Sequence, residues 1–122
     1  MASLFEAVAG KAIGYTAGLG GAVTQETSKA TGVTLNKVTG QITTHDASLA
    51  GGAEASFVVT NSMVAASDVP VVAIKSGATT GTYVASVSVV DAGSFTITVS
   101  NLGTTAAEAL VINFAVLKGA AS

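Results

Sequence analysis

The side chains that could catalyse a reaction or bind a metal are scattered in this sequence. Its seven acidic residues stand singly, at Glu6, Glu26, Asp46, Glu54, Asp68, Asp91 and Glu108. Glycoside hydrolysis and metal binding both need carboxylates held close together, and no spacing here provides that within one element. The only histidine, His45, precedes Asp46 and suggests an acid–base pair. We interpret these two residues as a solvated loop, since surface positions rarely carry chemistry.

Nucleophilic, phosphate-binding and thiol chemistry lack their usual motifs. Serine and threonine are abundant, but there is no Gly-x-Ser-x-Gly motif, and a nucleophile would have only one histidine to activate it. The glycine cluster at 18–21 is not followed by the Gly-Lys-Ser/Thr ending of a phosphate loop. The chain has no cysteine, which excludes disulfides and thiolate metal sites. We therefore predict a non-enzymatic protein with no catalytic residues, no cofactor and no metal.

The composition restricts the partners that the protein can have. The 122 residues suffice for one domain, and only 10% are charged, against roughly 25% in typical soluble domains. Nucleic-acid binding needs clustered cations, but arginine is absent and the net charge is −2. No window approaches the ~20 apolar residues of a membrane helix, and residues 1–6 lack the basic start of a secretory signal. We expect neither nucleic acid nor membrane as a partner, and we expect self-association to cover the weakly charged β surface.

Alternating apolar and polar residues predict strands through most of the chain after residue 20. The strongest case is Gly93–Asn101, where Phe95, Ile97 and Val99 point to one side and hydroxyl side chains to the other. Further strands are predicted at Ala22–Gln25, Gly32–Asn36, Gln41–Thr44, Ala53–Asn61, Val71–Lys75, Thr82–Val90 and Glu108–Lys118. Hairpin turns are predicted at Thr39-Gly40 and Asp91-Ala92-Gly93. The expected fold is all-β, a sandwich or jelly-roll-like domain of about seven or eight short antiparallel strands over residues 21–122.

Two of these strands have informative faces. Tyr83, Val87 and Val89 are expected to share one face of their strand. The final strand is apolar on both sides, with Leu110, Ile112, Phe114 and Val116 on one side and Val111, Ala115 and Leu117 on the other. Such a strand is either central in a sandwich or lies under a neighbouring subunit.

Residues 1–20 differ from the rest and are predicted to form an N-terminal arm with a glycine-rich hinge. Apolar residues recur at helical spacing, and Ser3 with Glu6 fits a capping box, which predicts a short amphipathic helix. Gly14, Gly18, Gly20 and Gly21 form the hinge. The arm is either a frayed terminus, a helix that covers one end of the sandwich, or a segment whose apolar face docks on a neighbour. The candidate partner-docking residues are Leu4, Phe5, Val8, Ile13, Val111 and Leu117.

The order of several segments resembles that in small β-rich virion proteins of tailed phages and prophages. The matching segments are Gly21–Thr43, Ser56–Ser62, Ala65–Asp68, Ala92–Phe95 and Ile112–Gly119. The likeness extends over about residues 14–119, so the arm at 2–13 lies outside it.

This resemblance implies a structural component on the outer surface of the virion, made in the host cytoplasm. One form is a capsid decoration or cement protein that binds the major capsid protein and stabilises the head shell. The alternative is a tail fibre, spike or head-fibre domain that recognises a host surface through the loops Ser76–Gly81 and Leu102–Ala107. Both imply self-association, for which a trimer suits head or fibre symmetry. Those loops lack the aromatic and arginine anchors of binding hot spots, which favours decoration.

Overall fold

Two four-stranded sheets make up the computed structural model, which describes residues 12–121. The strands are β1 Gly20–Thr24, β2 Val33–Thr34, β3 Thr39–Thr43, β4 Glu54–Thr60, β5 Val69–Ser76, β6 Tyr83–Asp91, β7 Ser94–Asn101 and β8 Val111–Leu117. Sheet A has the order β1-β3-β8-β5, and sheet B has the order β2-β4-β7-β6. The predicted all-β sandwich is confirmed, and the described residues contain no helix.

The chain passes from one sheet to the other at every connection between strands except that from β6 to β7. When the chain returns to a sheet, it runs in the same direction as its previous strand in that sheet. β1 therefore pairs with β3 in parallel, and β2 pairs with β4 in parallel. The other four pairs are antiparallel, so the sheets are mixed rather than antiparallel throughout. The β6–β7 hairpin is confirmed, with Asp91 opposite Ser94 and Gly93 at a φ of 85°. The predicted Thr39-Gly40 hairpin is wrong, because both residues lie inside β3 and β2 belongs to the other sheet.

The core lies between the inner faces of the two sheets. The strands β7 and β8, each flanked by strands on both sides, contribute most of it. The side chains of these two strands that were predicted to point inward are almost fully buried: Phe95, Ile97, Val99, Ile112, Phe114 and Val116. The rings of Phe95 and Phe114 meet across the sheets with their centroids 5.5 Å apart and an interplanar angle of 59°. Full burial of such side chains contributes about 1.5–3 kcal/mol each.

A β-bulge in β6 changes which valine faces the core. The register with β7 shifts between Val87 and Val89, so that one residue of β6 is left over. Since neighbouring residues point to opposite faces, this shift exchanges the two faces beyond the bulge. Val90 packs against the core and Val89 is exposed. The prediction that Val89 shares a face with Tyr83 and Val87 is therefore wrong.

Glycines bring β1 and β3 close together. Gly21 is opposite Gly40, and a Cβ on Gly40 would lie 2.7 Å from the Gly21 carbonyl oxygen and 2.8 Å from a methyl group of Leu35. No side chain fits at such a distance. Gly20 and Gly21, which the sequence assigned to the hinge, are thus the first residues of an edge strand. The predicted N-terminal helix lies outside the described residues, apart from its end at residues 12 and 13, which is not helical.

Candidate docking surface

An apolar strip lies on the outer face of sheet A, where β5 and β8 run side by side. Val69 pairs with Leu117, and Val71 pairs with Ala115, so these four side chains point away from the core as neighbours. Val69, Val71 and Leu117 expose 52%, 53% and 41% of their surface. We call these four residues the apolar strip. Single exposed valines are common on proteins, but adjacent ones on a sheet face are typical of a surface that contacts something else.

Part of the segment 12–19, which precedes β1, lies beside the strip. Ile13, Gly14 and Tyr15 line one side of a cavity of about 350 Å³, and Val71, Ala115 and Leu117 line the other. The Tyr15 hydroxyl donates a hydrogen bond to the carbonyl oxygen of Val116, which fastens this segment to β8. Ile13 remains 66% exposed.

The structure brings together two of the predicted docking residues. Ile13 and Leu117 line the same cavity. Val111 points to the same outer side of β8, but it is partly buried and lies six residues from Leu117, about 20 Å along the strand. The remaining three predicted residues, Leu4, Phe5 and Val8, lie outside the described residues.

The sequence did not reveal Val69 and Val71 as members of this surface. Val69, Pro70, Val71 and Val72 are all apolar, so no alternation indicates which of them point outward. In the structure Pro70 lies on the edge strand β5 and is buried, which the sequence alone does not show. Because side chains alternate along a strand, an inward Pro70 directs Val69 and Val71 outward.

An ion pair holds the strand ends that carry the strip. Asp68 immediately precedes β5, and its buried carboxylate accepts hydrogen bonds from the Ala65 amide at 2.9 Å and from the Lys118 ammonium group, which immediately follows β8. Burial by itself raises the pKa of Asp68, but these bonds and a longer one from the Gly119 amide lower the pKa below its usual value. The carboxylate is therefore ionised at neutral pH and locks β5 to β8 beside Val69 and Leu117.

The outer face of sheet B has a different character. Hydroxyl side chains cover its centre, and the Thr98 hydroxyl lies 2.8 Å from that of Ser56 and 3.0 Å from that of Ser88. Valines are interspersed among them, and Val84 is 49% exposed. Val58 and Val89 are also exposed, at 46% and 48%, but Thr96 stands between them in the register of the strands, so they do not form adjacent apolar pairs like those of the strip on sheet A.

The two loops considered for recognition lie next to each other at the opposite end of the sandwich. The Leu102 amide donates to the Thr82 carbonyl oxygen at 2.7 Å, which joins the ends of the loops 76–81 and 102–107. The first loop lines a cavity of about 340 Å³, together with Ile74 and Tyr83. Leu102 is exposed beside it. The surface at this end therefore combines both loops.

Beneath these loops lie two buried oxygen atoms, the Tyr83 hydroxyl and Oε1 of Glu108, which make no hydrogen bond of normal geometry among the described residues although the Glu108 carboxylate is adjacent to the hydroxyl. The other carboxylate oxygen of Glu108 accepts a hydrogen bond of 3.0 Å from the Thr79 hydroxyl. Burial raises the pKa of Tyr83, and the adjacent Glu108 carboxylate raises it further, because both disfavour a phenolate. Tyr83 is thus a neutral phenol, and its buried hydroxyl is not an exposed anchor for a ligand.

Lys29 forms a buried polar corner at this end that the sequence did not reveal. Its ammonium group donates to three backbone carbonyl oxygens, those of His45, Ala47 at 2.8 Å and Glu108 at 2.7 Å. Desolvation lowers the pKa of Lys29, and the negative charges of Asp46 and Glu108 offset part of this effect. The residue ties three segments of the chain together, so its role is structural.

His45 and Asp46 lie in the same corner, but their geometry does not suit acid–base catalysis. The Nδ1 atom of His45 accepts a hydrogen bond of 3.0 Å from the Ala47 amide. An imidazole nitrogen that accepts a hydrogen bond carries no proton, so it cannot donate to the Asp46 carboxylate 3.6 Å away. This arrangement agrees with the interpretation of His45 as a loop residue.

Residues 12–121 contain no group of three or more histidine, cysteine or acidic side chains that could hold a metal ion. The same part of the chain has no helix that could span a membrane. Comparison of the chain with protein-family models, with curated proteins and with solved structures gave no match.

Proposed function

We propose that this protein is a non-enzymatic structural component of a phage particle, a capsid decoration or cement protein that binds the major capsid protein and stabilises the head shell. It acts on the outer surface of the virion after its synthesis in the host cytoplasm. Self-association, with a trimer as the form that suits the symmetry of a head, accompanies this role. No cofactor, nucleic acid or membrane takes part.

The observation that carries the proposal is the apolar strip on the outer face of sheet A. Its residues sit on two adjacent strands that the Asp68–Lys118 ion pair holds in place, so the strip is a preformed surface. A surface that is rigid before binding loses little conformational entropy when it docks on a large partner. The low charge of the chain supports the same conclusion, since a sheet domain with few charges benefits from having its surface covered.

Counting the copies of this protein in purified particles tests the assignment. Quantitative mass spectrometry gives the molar ratio of this protein to the major capsid protein. A decoration protein is present at a fixed ratio to the shell subunit, in hundreds of copies on a typical head. Absence from the particles rules out a virion role, and a number far below that of the shell subunit places the protein on a tail or fibre instead.

Binding to shells that lack the protein tests the docking surface. Val71→Asp puts a charge on the strip, so we expect it to reduce co-sedimentation with shells at least about tenfold, the effect of desolvating a single charge in an apolar contact. Val84→Asp is the matched control, because Val84 is similarly exposed on sheet B. Removal of residues 2–13 should leave the circular dichroism of the sandwich unchanged and also weaken attachment. Unchanged binding of both strip and arm variants contradicts the proposed docking surface.

A second candidate function is recognition of a host surface as a fibre or spike domain. The adjacency of the loops 76–81 and 102–107 favours it, because two neighbouring loops and a cavity can form one binding site. Glycan-array binding of the purified protein tests this candidate. Leu102→Ser should weaken any binding through this surface, whereas Val71→Asp should leave it unchanged.

A further inference from the structure

We propose that the docking surface continues past Tyr15 onto the end of the sandwich, where it receives a segment of the major capsid protein with two apolar side chains and one acidic residue. The first apolar side chain lies on the apolar strip, and the second enters a cavity beside Leu19 and Met63. The acidic residue pairs with Lys37. This inference rests on the proposed function, because the partner is the shell subunit.

A second apolar cavity adjoins the one beside the strip. Tyr15 lines both, and the second has a volume of about 280 Å³. Leu19 and Met63, which are 45% and 46% exposed, form part of its walls together with Val38. Side chains on the same side of an extended segment are about 7 Å apart, a spacing that suits two cavities with a shared wall residue. One short segment of a partner can therefore fill both.

The size of a stable interface requires more surface than the strip provides. Such an interface buries about 800 Å² on each partner, and four side chains on two strands supply only part of this area. Exposed apolar side chains next to the strip are therefore expected to belong to the same surface. Ile13 at the first cavity and Leu19 and Met63 at the second extend it from the face of sheet A to the end of the sandwich.

A buried asparagine holds the walls of the second cavity in place. The Nδ2 group of Asn61 donates to the Lys37 carbonyl oxygen at 2.6 Å, and its Oδ1 atom accepts from the Met63 amide at 3.0 Å. The Lys118 ammonium group, which pairs with Asp68 beside the strip, also donates to the Met63 carbonyl oxygen at 3.3 Å. Hydrogen bonds thus connect the supports of both cavities, so the second cavity is also preformed and loses little entropy on docking.

Lys37 supplies a charge that the partner can match. Its stem lies against Gly21, where a Cβ atom would be 3.1 Å from the Cγ atom of Lys37. Within residues 12–121 its ammonium group makes no ion pair, and no acidic side chain lines the second cavity. An unpaired ammonium group beside an apolar cavity favours a partner with a carboxylate at that place, which adds specificity and speeds association.

Co-sedimentation with shells that lack the protein separates this inference from the proposed function. Met63→Asp puts a charge into the second cavity and should reduce binding at least about tenfold, as expected for Val71→Asp on the strip. Val58→Asp is the matched control, because Val58 has the same exposure of 46% on sheet B. Circular dichroism confirms that each variant is folded.

The outcomes for the two ideas differ. A wild type that does not bind shells overturns both the proposed function and this inference. If the wild type binds and Val71→Asp weakens binding, but Met63→Asp binds like the control, only the inference is overturned.

The salt dependence of binding tests the acidic residue of the partner. Lys37→Met should weaken binding about threefold at low ionic strength and have no effect in about 1 M salt, because salt screens an exposed ion pair. Lys37→Arg retains the charge and should bind like the wild type. An equal loss for Lys37→Met in low and high salt contradicts the assigned ion pair.

A cross-link identifies the occupant of the second cavity. The chain has no cysteine, so Leu19→Cys gives a single attachment site for a photoactivatable maleimide. Irradiation of the labelled protein on shells, followed by mass spectrometry, should yield a peptide of the major capsid protein that contains two apolar residues and an acidic one. A cross-link to a second copy of this chain or to its own residues 1–11, or a shell peptide without an acidic residue, overturns the inference.

Discussion

Replacement of the buried Lys29 by methionine tests whether its ammonium group is a structural link. Methionine retains most of the apolar stem but has no donor. Lys29→Met therefore leaves the carbonyl oxygens of His45, Ala47 and Glu108 without the three hydrogen bonds that the structure gives them.

The loss in stability follows from these three bonds. Hydrogen bonds to a charged group contribute about 1.5–3 kcal/mol each, and an unsatisfied buried acceptor costs about 1–3 kcal/mol. Removal of the ammonium group also removes its desolvation cost of several kcal/mol, which offsets part of the loss. We expect a net decrease of about 3 kcal/mol in the free energy of unfolding. For a chain of 122 residues, this lowers Tm by about 10 °C.

Urea denaturation and thermal unfolding measure both quantities. Lys75→Met is the matched control, since Lys75 is exposed on β5 and its replacement should change stability by less than about 0.5 kcal/mol. A loss below about 1 kcal/mol for Lys29→Met, or a loss equal to that of the control, refutes the structural role assigned to Lys29.

Two further predictions concern ionisable groups. Asp68→Asn should cost about 2 kcal/mol at pH 7, because it removes the charge that Lys118 pairs with. The folded pKa of Asp68 lies below the unfolded value of 3.8, so the stabilisation by its carboxylate is present above that pH and declines as the pH falls. Urea titrations from pH 7 to pH 2 should show the free energies of unfolding of the wild type and of Asp68→Asn converging. Tyr83→Phe should change stability by less than about 1 kcal/mol at pH 7, because the hydroxyl makes no hydrogen bond of normal geometry among the described residues and interacts only weakly with the adjacent Glu108 carboxylate. Since the folded pKa of Tyr83 is raised above 10.0, the wild type should lose stability relative to this variant as the pH rises past that value; parallel curves at pH 7 and above pH 10 would contradict the assignment.

Local alternation predicted the elements of this fold more accurately than their connections. The strand β7 follows a strict period of two, whereas β8 is apolar on both sides and only Asn113 interrupts it; all the predicted inward residues of both strands are buried. The Thr39-Gly40 hairpin was wrong because a glycine that lets two backbones approach looks the same in sequence as a glycine in a turn. Only the partner residue, Gly21, distinguishes the two cases, and a single sequence does not identify that partner.

Residues of the candidate surface could be predicted from the sequence where their direction depends on one segment, and could not where it depends on pairing between several strands. Leu117 was found because β8 is apolar on both sides and Leu117 lies on its second side, and Ile13 was found because it follows an apolar pattern at helical spacing. Val69 and Val71 lie in a run of consecutive apolar residues, so their direction is set by pairing with β8. The bulge in β6 and the three carbonyl partners of Lys29 likewise arise from tertiary contacts, which residue types alone do not specify.

The position of β8 has a consequence for synthesis and quality control. This strand is the last of the eight, yet it lies between β3 and β5 in sheet A. Until residue 117 has been made, β3 and β5 each present an unpaired edge, and the inner face of β7 lacks the contact of Phe95 with Phe114. A chain that stops before β8 therefore exposes unpaired strand edges and apolar surface, which makes it prone to aggregation and proteolysis. Completion of β8 therefore pairs both edges and closes sheet A.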